Sequence, residues 1–346
     1  VERDPGRPEW RLELAYGHHN VARIALQRGD LESALGDYRV SRGHLAALSR
    51  GAPDDPGLMI DLADSHNRIG LIEHRRGRLD AALDSYLADR DLVARVLEGN
   101  PDDTRLRERL ATTDTHLVSL LLMMGRTAAA AETARGSVEV RRELLAIDPD
   151  HAEWRRFLAN ELRWLGAAQL ADGDVDAAAE ALEEARRRLT DLEPDQARTA
   201  AVQRMTGVVE RLLAEVHWVK GDAARAKRAL ARSLATLETA LAAHPEDGAA
   251  ANSLARTYLL RGDWLAATDA AAAMRAWRKA VESVGDLAGE TDDPTVLASM
   301  ALAHLKLGEV DRARPLVDRL VDGGYRSPDL IEACAEAPAG GCRAGA

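Results

Sequence analysis

The stretch IALQRGDLESALGDY, residues 24–38, returns as IEHRRGRLDAALDSY at residues 72–86, with Gly29 and Gly77 at matching places 48 residues apart. Further glycines continue this spacing, and two more follow at intervals of 41 and 46 residues. A period of this size indicates an array of similar structural units. The glycines that we assign to the turn of each unit are Gly29, Gly77, Gly125, Gly173, Gly221, Gly262 and Gly308.

Each unit carries apolar residues at intervals of three, four and seven, which is the pattern of one helix face, and no segment alternates with period two. We therefore expect helix A, a glycine turn, helix B and a proline-marked turn in every unit. Glycine suits the left-handed residue that ends a helix, and an aspartate directly after it suits the start of helix B. These aspartates are Asp30, Asp174, Asp222 and Asp263. With seven such turns, we expect the substitution of any one turn glycine to be tolerated.

Small residues show where the two helices of a unit approach each other. They stand seven residues before the turn glycine, at Ala22, Gly70, Gly166 and Ala214, and alanine stands five residues after it. A single helical hairpin cannot bury both sides of its apolar stripe, so neighbouring units must stack. The sequence predicts an all-α chain of about seven stacked hairpins.

Composition excludes several classes of partner. The chain has 346 residues, of which 46% are hydrophobic and 30% charged, and its formal net charge is −11. No apolar run approaches the roughly 18 residues of a membrane helix. No cluster of basic residues interleaved with aromatics offsets the acidic charge. We expect contact with neither nucleic acid nor membrane.

The pattern of small residue, glycine turn, alanine and a tyrosine nine residues after the glycine, at Tyr38 and Tyr86, resembles the tetratricopeptide repeat (TPR). That unit has 34 residues, and the 48-residue unit here corresponds to about seven more residues in each helix. The resemblance implies a right-handed α-α superhelix, a TPR-like α solenoid, whose A helices line a concave groove.

Glu-Trp pairs at Glu9-Trp10 and Glu153-Trp154 open helix A and resemble the long repeats of large bacterial signalling proteins. In those proteins the arrays accompany kinase, caspase-like, TIR or nucleotide-switch domains. The closing stretch LVDGGYRSPDLIEAC is similar to the end of kinase-linked arrays. The resemblance implies a scaffold or sensor region and carries no implication about chemistry.

The expected organisation is a single solenoid over residues 1–336 followed by a flexible tail, 337–346. A C-terminal cap helix is expected at 328–336. The repeat units are expected at 6–53, 54–101, 102–149, 150–197, 198–245, 246–290 and 291–325.

No motif for catalysis, nucleotide binding or metal binding is present in the sequence. The ten histidines include no HExxH pair, and the adjacent His18 and His19 diverge by about 100° on a helix, which disfavours chelation of one ion. We expect no enzyme activity, no cofactor, no metal and no catalytic residue.

The groove is the expected binding site, because side-chain amides can bind a peptide backbone and guanidinium groups can bind its carboxylates. The inward positions follow from the resemblance, counted back from each turn glycine. The candidate partner-binding residues are His19, Arg23, Asn67, His74, Asn160, Arg163, Arg211, Trp218, Asn252 and Arg256.

The first hypothesis is a non-catalytic module that binds a protein or peptide, in the regulatory or sensor region of a larger bacterial signalling protein. The alternatives are a small-molecule receptor or enzyme with a pocket between repeats, beside Trp218 or Trp264, and a self-assembly module that forms homo-oligomers. The chain begins at Val1 rather than Met, so we expect a fragment of a longer protein. A cytoplasmic location is favoured, whereas a disulfide between Cys334 and Cys342 would indicate an extracytoplasmic one.

Overall fold

The computed structural model describes residues 7–288, 291–337 and 342, and every regular element in this part of the chain is a helix. The chain forms two compact units, Val1–Leu120 and Leu121–Ala346. The helices are α1 (Pro8–Gln27), α2 (Leu31–Gly51), α3 (Pro56–Arg75), α4 (Leu79–Gly99), α5 (Thr104–Met123), α6 (Thr127–Ile147), α7 (Ala152–Ala171), α8 (Val175–Thr190), α9 (Pro194–Ala197), α10 (Ala200–Val219), α11 (Ala223–Ala243), α12 (Gly248–Ala266), α13 (Ala270–Ala288), α14 (Pro294–Lys306), α15 (Val310–Asp322) and α16 (Pro328–Glu336).

Residues 1–6, at the start of the predicted solenoid, and 289–290, at the end of the sixth predicted repeat, lie outside the described residues. So does the predicted flexible tail, apart from Ala337 and Cys342. Cys342 is joined to Cys334, near the end of α16, by a disulfide bond.

Helices pair into hairpins as α1 with α2, α3 with α4, α7 with α8, α10 with α11, α12 with α13 and α14 with α15. All of these except α12 with α13 turn at a predicted glycine. At the first turn Gly29 has φ +80°, Gly29 N donates to Leu26 O at 3.1 Å and Asp30 N donates to Ala25 O at 3.0 Å. This pair of bonds is the Schellman motif, which satisfies the last carbonyls of α1. The Asp30 side chain then accepts from Ser33 N at 3.0 Å and caps α2.

Small residues on helix A make room for large residues on helix B. A Cβ added to Gly70 would lie 2.8 Å from the ring of Tyr86, and one added to Gly166 would lie 2.5 Å from Leu182. Tyr86 and Leu182 are fully buried. The close approach of the two helices is therefore a direct consequence of the missing side chain.

Gly262 was predicted as the sixth turn, and that prediction is wrong. It lies inside α12, which continues to Ala266, and the turn at 267–269 contains no glycine. A Cβ on Gly262 would collide with the indole of Trp277, so this glycine serves close helix packing. The expectation that Asp263 starts helix B is wrong for the same reason.

Asp263 lies within α12 and does not cap a helix, whereas Asp269 accepts from Ala272 N at 2.9 Å at the start of α13. Trp264 also lies on α12. The last hairpin is the short one, since α14 and α15 have 13 residues each around Gly308, whose φ is +74°.

Within Leu121–Ala346 the A helices α7, α10, α12 and α14 are successive neighbours, and α16 packs against α14. We name the surface formed by these A helices the inner face; the predicted residues from Asn160 onward lie on α7, α10 and α12.

Candidate functional site

In Val1–Leu120 the predicted residue Asn67 belongs to an internal network. Its amide nitrogen donates to Asp89 at 2.9 Å, and Asp89 also accepts from Thr113 at 2.6 Å and Arg109 at 2.7 Å. Asp89 is completely buried. A buried carboxylate needs such donors, so Asn67 stabilises the packing of α3, α4 and α5 against one another.

The other three predicted residues of this unit are dispersed. His19 Nε2 lies 3.6 Å from an Asp64 carboxylate oxygen, and its ring meets Tyr38 edge-on at 5.2 Å. His74 meets the Tyr86 ring edge-on at 6.2 Å, and Arg23 is exposed. These side chains line helix surfaces without converging on one point.

In the second unit Asn160 and Arg163 act together on α7. Asn160 Oδ1 accepts from Arg163 Nε at 3.3 Å and from Nη2 at 2.9 Å. The guanidinium also lies 4.0 Å from the centre of the Trp164 ring, in a cation–π contact. The guanidinium of Arg163 is thus oriented by its own helix.

Three more arginines follow on the next two A helices, and each has a carboxylate partner. Arg204 Nη1 donates to both oxygens of Asp247, at 3.0 and 2.9 Å. Arg211 Nη1 pairs with Glu215 one turn along α10, and Arg256 Nη2 lies 3.2 Å from an Asp329 carboxylate oxygen.

Residues 324–329, which we name the C-terminal strap, follow α15, run into the first turn of α16 and contact the end of α5 and α12. Arg326 N donates to Met123 O at 2.7 Å, in the last turn of α5, and Tyr325 is 4% exposed. At the other end of the strap Asp329 reaches Arg256 on α12. The strap therefore spans from the end of α5 to α12.

Sequence reasoning assigned the strap residues to a terminal cap and did not place them on the groove. Arg204 was missed as well, although its spacing from Arg211, seven residues on one helix, is a signal that both share a face.

Asn252 was counted inward from Gly262, which is not a turn residue. The structure places it between α12 and α14, where its Nδ2 donates to Thr295 at 3.0 Å and its Oδ1 accepts from Ser299 at 2.6 Å. Its two polar groups are used and it is 9% exposed. Asn252 holds two repeats together.

Trp218 and Trp264, the residues of the small-molecule alternative, stack on each other with ring centres 4.5 Å apart. Nearby, a hollow of about 400 Å³ is lined by Trp277, Asp263 and Lys306 among others. Trp277 Nε1 donates to Asp263 at 3.1 Å, and burial raises the pKa of Asp263 while Lys306 opposes that shift. The hollow is open and of mixed polarity.

The described residues contain no group of three or more His, Cys, Asp or Glu side chains placed to hold a metal ion. Nor do they include a helix that is long and apolar enough to cross a membrane.

No protein-family model matches the chain, and no curated protein matches it. Solved structures do match it at low identity. The apo form of RapI is 11% identical, with coverage of 89% of this chain and 97% of that one and a TM-score of 0.59.

A Rap protein complexed with Competence and Sporulation Factor is 14% identical, with 92% and 76% coverage and a TM-score of 0.54. The Rap conjugation gene regulator of plasmid pLS20, in complex with the Phr* peptide, is 13% identical, with 92% and 74% coverage and a TM-score of 0.52. At these identities the likeness concerns the fold alone. The chain has the all-helical, α-α superhelical fold of tetratricopeptide-like repeat proteins.

Proposed function

We propose that this chain is a non-catalytic scaffold that binds a protein partner through an extended peptide segment on the inner face of Leu121–Ala346. We further propose that its repeats are the long, 48-residue form of the tetratricopeptide unit, and that it is the regulatory or sensor region of a larger bacterial signalling protein. Asn160, Arg163, Arg211 and Arg256 are its proposed contact residues, with Trp218 at the edge of the face.

The observation that carries the proposal is the C-terminal strap. Residues 325–327 have no helical structure, and a main-chain amide of this segment pairs with a carbonyl at the end of α5, Arg326 N with Met123 O. A side-chain carboxylate of the strap pairs with Arg256. A main-chain hydrogen bond and a side-chain ion pair are contacts by which a protein surface can hold an extended peptide.

The similar structures also support a peptide-binding scaffold. One of the Rap proteins that share this fold is in complex with a peptide. Because the identity is only 13%, that likeness supports a binding scaffold and identifies no ligand.

The experiment is selection of random 12-residue peptides displayed on phage against the intact chain, followed by fluorescence anisotropy with the enriched peptides. The test variant is Asn160→Ala with Arg163→Ala. The matched control is Arg187→Ala, an exposed arginine on α8 outside the inner face. Circular dichroism checks that all three proteins fold.

We expect enriched peptides to bind the parent and the control equally, and the test variant at least ~10-fold more weakly, which corresponds to about 1.4 kcal/mol. Equal binding to all three proteins would place the peptide elsewhere and overturn the proposed face. Failure to enrich any peptide would overturn the peptide-binding scaffold itself.

The two alternatives have their own readouts in the same samples. A thermal shift of the parent with a panel of small metabolites, lost in Trp277→Ala, would favour a small-molecule receptor at the hollow. A molecular mass that rises with protein concentration in light scattering would favour self-assembly.

A further inference from the structure

Charges on the inner face do not balance, although the chain as a whole is acidic with a net charge of −11. Arg163, Arg204 and Arg211 lie on the neighbouring helices α7 and α10. Arg204 is paired with Asp247 and Arg211 with Glu215. The acceptor of the Arg163 guanidinium is the neutral amide oxygen of Asn160, so the three cations are matched by two carboxylates.

Arg163 is held in an environment that disfavours its charge. Burial lowers the pKa of Arg163 to about 9, and the nearby cations Arg204 and Arg211 act in the same direction. Glu161 opposes this shift, but it is itself buried and lies 3.8 Å from Arg141. Arg163 is half-buried, and a guanidinium that is partly removed from water and near like charges is stabilised by an added anion.

Arg211, whose charge acts on Arg163, has an unsatisfied hydrogen-bond donor. It is 9% exposed, and its Nε is buried and has no hydrogen-bond acceptor among the described residues. Buried donors of this kind are nearly always satisfied in folded proteins, by water or by a ligand. The unpaired Nε and the surplus charge of Arg163 are independent observations that indicate the same ligand chemistry.

We propose that Arg163 and Arg211 form a subsite for the side-chain carboxylate of an acidic peptide, next to the pair of Asp329 and Arg256. This inference rests on the proposed function, since it names the chemistry that the peptide must carry. The strap already makes a contact of this kind within the chain, since the carboxylate of Asp329 lies 3.2 Å from Arg256.

The charge count favours a carboxylate over a phosphate. A single negative charge neutralises the one unmatched cation, whereas a phosphate group at pH 7 would bring about 1.5 to 2 negative charges. Two guanidinium groups also match the two oxygens of a carboxylate, each of which can accept a charge-assisted hydrogen bond.

The test uses two fluorescein-labelled probes, the pentapeptides Ala-Glu-Ala-Glu-Ala and Ala-Gln-Ala-Gln-Ala, which differ only in charge and hydrogen-bonding capacity. Binding to the full chain is measured by fluorescence anisotropy at fixed, low ionic strength. We expect the acidic probe to bind at least ~10-fold more tightly than its amide analogue, as charge-assisted pairs are roughly twice as strong as neutral ones.

Three variants test whether Arg163 causes the preference for the acidic probe. Arg163→Gln should abolish it, Arg163→Lys should restore part of it because the charge returns without the planar fork, and Arg187→Gln on α8 should leave it unchanged. Circular dichroism and urea unfolding confirm the fold of each variant. The proposal is overturned if the parent does not bind the acidic probe at ~1 mM, or if the Arg163→Gln variant keeps the preference.

The two proposals fail in different ways. Preference for the acidic probe without any enriched phage peptide would overturn the sequence-selective scaffold and leave the carboxylate subsite standing. Enriched peptides that bind the inner face but show no acidic residue, together with equal binding of the two probes, would overturn the subsite alone.

Discussion

Asp114 on α5 is a carboxylate whose environment sets its protonation. Its side chain is 7% exposed, and one oxygen lies 2.8 Å from Nε of Arg90 on α4. Burial raises the pKa of Asp114 to about 6, and Arg90 offsets only part of that shift. The folded chain therefore holds this proton more tightly than the unfolded chain does.

The consequence is a pH dependence of stability with a defined sign. The pKa of Asp114 is 3.8 in the unfolded reference and about 6 in the fold. The stabilisation that the fold gains from the more tightly held proton is therefore fully present below pH ~4 and is lost as the pH rises through ~6. A shift of roughly two units corresponds to at most about 3 kcal/mol.

We predict that Asp114→Asn becomes more stable relative to the parent between pH 4.5 and pH 7, as measured by urea unfolding. The control is Asp84→Asn at an exposed position on α4, which should follow the parent at both pH values. A parallel response of parent and Asp114→Asn would contradict the assigned role of burial.

At the scale of elements, the C-terminal strap makes the glycine turn at Gly125 different from the one at Gly173. Gly125 and Gly173 both adopt positive φ, +71° and +88°. A Cβ on Gly173 would meet nothing within 4 Å, whereas a Cβ on Gly125 would collide with the carbonyl oxygen of Arg326 in the strap. The sequence alone led us to expect all turn glycines to be equally tolerant.

We predict that Gly173→Ala destabilises the chain by about 1 kcal/mol through backbone strain, and that Gly125→Ala costs at least about 1 kcal/mol more. Urea unfolding gives the two values. Hydrogen exchange should also rise at residues 324–329 in Gly125→Ala and remain unchanged in Gly173→Ala. Equal losses of stability in the two variants, with unchanged hydrogen exchange, would mean that the strap does not pack against the turn at Gly125.

At the scale of the whole molecule, the period predicts which deletions the array accepts. Removing 56–103 takes out α3 and α4 together and joins Asp55 directly to Thr104. An aspartate then still precedes the next helix A, as Asp103 does now, where its side chain accepts from Arg105 N and Leu106 N. Removing 56–79 leaves α4 without the helix that covers it.

We predict that the 48-residue deletion retains a cooperative urea transition, whereas the 24-residue deletion gives a broad one with a lower midpoint. The reason is that each repeat buries its apolar faces only as a complete hairpin against its neighbours. Equal cooperativity in the two deletions would show that the repeat boundaries are misplaced.

The helices and most turns could be predicted from the sequence because their signals are local. Helix periodicity, a left-handed glycine and an aspartate cap act within a few residues, as at Gly29 and Asp30. The prediction for the sixth repeat was wrong because glycine occurs both in turns and where two helices pack closely. At Gly262 the missing Cβ admits Trp277, a contact that becomes visible only when α12 and α13 are packed together.

The sequence by itself determined that this protein is an all-helical repeat array, because a fixed period and local helix signals require no knowledge of distant contacts. Only the tertiary structure decided which contacts the side chains of the inner face make. It brings Arg326 to Met123 and Asp329 to Arg256, uses Asn252 between two helices, and leaves Arg163 without a carboxylate. These outcomes depend on residues far apart in the chain, whose distances are set by the stacking of complete hairpins.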